Sequence, residues 1–204
     1  RYPRDITLRL YGDGQEYIDA VNTAVEKVLL ENGQTPENSV QYRFLPVSGY
    51  FAEDQVIFDR DRVNDTIDYA NVRQLFFLPV EEYNRVMHAE IALEEHEVLL
   101  YCTRTAYPYD TITFEGGGSS TVKKTEDFKV SGFNAGDIVS SHYIFASEAV
   151  LARIYQVQKA AYEMNASEFQ YYYGFDLSCS AETQIAVKGQ ISEAVGTLQR
   201  QAAE

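Results

Sequence analysis

Ile6, Leu8 and Leu10 alternate with Thr7 and Arg9, the period of two that lays one face of a strand on a core. Gly12-Asp13-Gly14 breaks the alternation. The period then lengthens: Ile18, Val21, Val25, Val28 and Leu29 recur at three and four, so they share one face of a helix that begins near Gln15 and stops at Gly33. Val40, Tyr42 and Phe44 alternate again up to Pro46, and Gln55 to Phe58 has the composition of a further short strand. The alternating charges of 59–68, DRDRVNDTID, predict a solvated turn or edge. VRQLFFLPV, from Val72 to Val80, reads as a well-buried strand, and Pro79 favours a turn into the next element.

A second helix is predicted from Glu81 to about Glu95, with Tyr83, Val86, Met87 and Ile91 on one face and Glu82, Glu90, Glu94 and Glu95 opposite. Strands follow at about Glu97 to Thr105, Ile112 to Glu115 and Ser120 to Val130. The last two flank Gly116-Gly117-Gly118 and predict a long glycine-tipped hairpin near 112–131. Asp137 to Ala146 is a further strand. Ser147 is a good N-cap for a third helix carrying Val150, Leu151, Ile154, Val157, Ala161 and Met164. Phe169, Tyr171, Tyr173, Phe175, Leu177 and Cys179 then alternate without a slip. A last helix spans Gln190 to about Gln201, with Ile191, Ala194, Val195 and Leu198 inward.

Hairpin-like pairs dominate the middle of this order, and regular strand–helix alternation fails there. The expected fold is therefore α+β: a mainly antiparallel sheet with about four amphipathic helices packed on it. No Pro/Ser-rich linker divides the chain, so residues 1–204 are expected to form a single domain.

Charge narrows the partners. The net charge is −14, which repels the phosphates of nucleic acid and anionic lipid, since binding either begins with Lys or Arg neutralising them. No apolar run is long enough to span a membrane. The aromatic set is skewed to 16 Tyr and 11 Phe with no Trp, and tyrosine suits half-wet contact surfaces because its ring packs while its hydroxyl stays solvated. The chain starts Arg1-Tyr2-Pro3-Arg4; a removed leader and a trimmed sequence are both open readings. Cys102 and Cys179 are read as two buried thiols, with one disulfide between them as the alternative. Asn64-Asp65-Thr66 and Asn165-Ala166-Ser167 match the glycosylation acceptor pattern.

Several chemistries are tested and set aside. FEGGGSSTVKK, from Phe114 to Lys124, has the composition of a phosphate loop. Its lysines lack the G-K-[ST] context, and TVKKTEDFKV has the pattern of a strand where a helix N-terminus is required. Ser120-x-x-Lys123 spells a serine-nucleophile motif without its companion elements. His88 and His96 are eight apart, about 12 Å along a helix axis, too far to share an ion. The calcium-loop start at Asp59 fails at its sixth and twelfth positions. No catalytic residue, cofactor or metal ligand is expected.

What remains is surface. Tyr2 in the N-terminal RYPRD, Tyr107 and Tyr109 in the loop AYPYD, the glycines 116–118 (Gly116, Gly117, Gly118) and Tyr172 are the candidate interface residues. They point to a non-enzymatic structural or assembly subunit of a larger protein particle, such as a virion, tail, pilus-like or envelope-spanning complex. Its partners would be protein subunits in a homo- or hetero-oligomer, and its location particle-associated or extracytoplasmic. A secreted or surface binding module is the alternative, and an enzyme of unrecognised type the third reading.

Overall fold

A computed structural model describes residues 4–11, 14–58, 73–102, 106–125, 128–130, 132–133, 141–161 and 169–202. Tyr2, the charged stretch 59–68, residues 137–140, Met164 and both glycosylation triplets lie outside that set. Nine strands in a mixed sheet and four helices give an α+β fold, as the periodicities predict. By its internal contacts the chain divides into two compact units, Arg1–Tyr42 with Tyr171–Glu204 and Arg43–Gln170. No helix among the described residues is long and apolar enough to cross a membrane.

The first unit is built from β1 (Ile6–Tyr11), α1 (Gln15–Glu31), the start of β2 (Glu37–Ala52), β9 (Gln170–Asp176) and α4 (Ala181–Ala202). The strand order is β1–β9–β2. Ile6, Leu10, Tyr173 and Phe175 from the strands meet Ile18, Val21 and Val25 of α1 and Val187, Ile191 and Val195 of α4 in one buried cluster. Apart from Val187, which precedes the predicted helix start, these are alternating and helical positions that the sequence marks as inward. Asp5 and the end of β9 tie the strands together: the Asp5 amide donates to Asp176 Oδ1 at 3.2 Å, and the Leu177 amide to Asp5 Oδ2 at 3.0 Å.

The last helix starts nine residues before its predicted start at Gln190. Ser180 caps it, its Oγ accepting from the Thr183 amide at 3.2 Å, and Ile185 in its first turns points outward, off the apolar stripe.

The second unit has a different logic. The later part of β2 pairs antiparallel with β3 (Gln55–Phe58) and also with β4 (Arg73–Pro79). Gly49 is registered with Phe58 on one edge and with Arg73 on the other. From β3 the hydrogen bonds run to β6 (Thr111–Phe114), β7 (Gly118–Val122), β5 (Glu97–Tyr101), β8 (Ser141–Ala146) and back to β4. Seven strands thus close into a ring, and closure removes sheet edges. The ring is mixed: β3–β6, β5–β7 and β4–β8 are parallel, while the other four pairs are antiparallel.

Alternation places one set of side chains inside. Leu45 and Val47, Val56 and Phe58, Leu75 and Phe77, Ile112 and Phe114, and Ile144 and Ala146 join Val98 and Val122 in one cluster. Helix α3 (Glu148–Ala161) adds Val150, Leu151 and Ile154 to it. On the other face of β4 and β8, Phe76, Tyr143 and Phe145 form an aromatic layer with Tyr83 of α2 (Val80–Met87) and with Phe133. The Tyr83 and Phe133 rings lie 5.0 and 5.1 Å from that of Phe145.

Helix α2 stops at Met87, eight residues short of the predicted Glu95. His88 turns left-handed at φ 53, and the Asn84 side chain captures the backbone of Ile91, donating to its carbonyl and accepting from its amide, both at 2.9 Å. Local side-chain hydrogen bonds of this kind compete with further helical turns. His88 and His96 therefore do not share a helix.

Candidate functional site

The parallel pair β5–β7 sets up the site. Glu97 is registered with Thr121 and Val98 with Val122, and the Lys123 amide donates to the Val98 carbonyl at 2.9 Å. Beyond that bond regular pairing ends. Leu100, Tyr101 and Cys102 continue from β5; Lys123, Lys124 and Thr125 continue from β7. An open recess of about 370 Å³ lies among them. Its apolar wall is Leu100, Val122 and Phe128 with the ring of Tyr101, and Ala106 and Tyr107 complete the rim. The recess therefore sits at the carboxyl ends of two adjacent parallel strands, where diverging chains leave a crevice.

Tyr107 is held from three sides. Its hydroxyl donates to the Thr111 carbonyl at 2.7 Å, and its ring lies 5.8 Å from Phe51 and 5.4 Å from Tyr109. Burial, then the nearby Asp54 carboxylate, Cys102 and Tyr109 push its phenol well above the usual range. Lys124 Nζ donates to the carbonyls of Tyr109 at 3.0 Å and Tyr107 at 3.4 Å, and stands 5.9 Å from the Tyr107 ring centre. Lys123 Nζ donates to the Ala92 carbonyl at 2.9 Å. Both ammonium groups are thus anchored by backbone oxygens, and they lend a positive rim to part of an acidic chain.

Cys102 is a free thiol. Burial lifts it from 9.0 to about 11, so at neutral pH it is protonated, and the thiolate is the nucleophilic form. The arrangement offers shape, aromatic surface and modest positive charge. Among the described residues no three His, Cys, Asp or Glu side chains cluster as ligands for a metal.

The candidate interface residues scatter over the chain. Tyr107 and Tyr109 lie at or beside the recess, Tyr109 38% exposed. The glycines form the turn between β6 and β7, with φ 74 at Gly116 and 79 at Gly118, values that favour glycine. This turn leads into a strand. Gly117 is buried under the chain's own α3: a Cβ there would stand 2.9 Å from Ile154 Cδ1. Tyr172 is 1% exposed and stacks on Tyr42 with ring centres 4.9 Å apart. Cys179 is also a free thiol, half-buried against the first unit's core.

Sequence reasoning missed Lys123, Lys124 and Phe128 as site residues. The sequence offers both lysines as phosphate ligands and Lys123 also in a serine-nucleophile motif, although their position just past a strand that pairs with 97–101 is what matters. No protein-family model, curated protein or solved structure matches the chain.

Proposed function

We propose that the chain is a non-enzymatic structural subunit of a larger protein particle and works through protein–protein contacts. The observation that carries this reading is the rim of the second unit's recess. There, Tyr109 is exposed on top of a fixed Tyr107 beside an open, aromatic-walled hollow of about 370 Å³. A rigid aromatic platform next to a hollow is what a partner's anchoring side chain needs, because tyrosine contributes area at low entropic cost. The lysine rim favours a partner segment carrying carboxylates beside its apolar anchor. The protonated thiol adds packing surface and a weak donor.

The test is native mass of the species containing the chain, with wild type compared against Tyr109→Ser and Phe128→Ser. Assembly that these changes weaken by about tenfold or more, with the fold intact by circular dichroism, supports the reading. Assembly indifferent to both overturns the assignment of the contact to this surface.

A further inference from the structure

Helix α4 of the first unit carries an exposed outer face. Ile185 is 73% exposed. Gly189, one turn on, would place a Cβ with nothing within 4 Å, so among the described residues no neighbour requires a glycine in the middle of a 22-residue helix, where glycine weakens the helix. Ser192 and Gly196 continue the same line, and the spacing 185, 189, 192, 196 is the alternating four-three step of a helix-pairing seam.

Charge says what covers it. The chain carries −14, yet this face bears two acids, Glu182 and Glu193, and two bases, Lys188 and Arg200, all exposed. The local charge of this face is thus balanced and does not oppose self-association. An antiparallel second copy, on a twofold axis between Gln190 and Ile191, meets two conditions in one register. Helical periodicity puts Ile185 over Gly196 and Gly189 against Ser192. The same register brings Glu182 and Arg200, on one flank of the seam, to opposite charges across the axis. Arg200 now leans back over Gly196, its guanidinium 3.6 Å from where a Cβ would stand and 3.2 Å from Thr197 Oγ1; turning it toward Glu182 of a second copy uncovers the hollow that Ile185 fills.

We infer that two copies of this chain pair through α4, antiparallel, with Ile185 of each seated at Gly196 of the other. This names a partner for the assembly reading and rests on it, but uses a surface separate from the recess.

Sedimentation velocity from about 1 to about 200 µM tests it. Wild type is expected to dimerise. Ile185→Asp should raise the dimer dissociation constant by at least about tenfold. Gly189→Leu should do the same without lowering the melting transition, since its side chain meets nothing among the described residues. Glu182→Arg and Arg200→Glu should each weaken pairing by about threefold, and the double variant should restore it. A wild type that stays monomeric across the range, or a dimer unmoved by Ile185→Asp and Gly189→Leu, overturns the inference. If the Tyr109 variants still weaken a larger assembly in that case, the assembly reading stands alone. A dimer lost only in the α4 variants, in a chain whose assembly ignores Tyr109, supports the pairing and sinks the recess.

Discussion

The two units solve the same problem, covering an apolar sheet face, in opposite ways. In the first, strand and helix alternate in sequence and two amphipathic helices lie over β1 and β9. In the second, the sheet curls until β4 meets β2, and the ring's interior is filled by its own strands and by α3. A layer can settle when an atom is lost; a ring held by hydrogen bonds all the way round has less freedom to do so.

That difference sets the largest expected effect. Phe77 lies inside the ring with Phe114 at 5.6 Å and Phe58 at 6.4 Å. Phe77→Ala should cost about 3–5 kcal/mol, and Ile191→Ala in the first unit should fall toward the lower end of about 2–5 kcal/mol because helices can close on the gap. Urea unfolding of both variants checks the order, and equal costs would remove the distinction.

Glycines sharpen it next. Gly117→Ala forces a methyl to within 2.9 Å of Ile154 Cδ1, so a loss of about 1–3 kcal/mol is expected from overpacking. Gly189→Ala on α4 meets nothing and should gain up to about 1 kcal/mol. Thermal melts of the two variants should shift in opposite directions.

Alkaline pH should reach the second unit first. Burial raises Cys102 from 9.0 to about 11. The unfolded chain then releases that proton at a lower pH than the folded one, so stability is whole below about pH 9 and falls as pH rises toward about 11. Tyr173 in the first unit is also raised, by burial and then by Glu26 and Tyr171, but from 10.0. Urea midpoints should decline with pH, and Cys102→Ala should flatten the part between about 9 and 10. An unchanged slope would mean that the thiol is solvated.

The smallest effects concern orphaned polar atoms. Tyr172 Oη in the first unit and Gln158 Nε2 in the second are buried without a hydrogen-bond partner among the described residues. Tyr172→Phe should raise stability by up to about 1 kcal/mol, since an unpaired buried hydroxyl carries a desolvation cost. Gln158→Leu should act in the same direction. Denaturant midpoints measure both.

The same contrast explains what could be read in the sequence. Ile6/Leu8/Leu10 and the α1 stripe announce their elements because each buries one face against a neighbour of matching period; the run Phe169 to Cys179 alternates too, although Tyr172 on its other face is also buried. Ring closure has no such mark. Gln74 to Pro79 pairs in parallel with Ser141 to Ala146, and two apolar runs that far apart carry no local sign of which strand they will meet. Pattern reading favours neighbours in sequence and so hairpins, and the three parallel pairs were invisible to it. At the recess, Cys102, Tyr107 and Tyr109 stood out by residue type. Lys123, Lys124 and Phe128 did not, because only the β5–β7 pairing brings 100–102 and 123–128 together. On α4 a helix start placed nine residues late left Ile185 off every face.

The most direct measurement is native mass spectrometry of the purified protein and of any assembly isolated with it, with co-purifying chains identified. The expected result is a species heavier than the 23.2 kDa chain, in fixed stoichiometry, that dissociates when Tyr109 is replaced by Ser. A lone 23.2 kDa species at high concentration, with no chain accompanying it and turnover of a small molecule in the recess, would contradict the account.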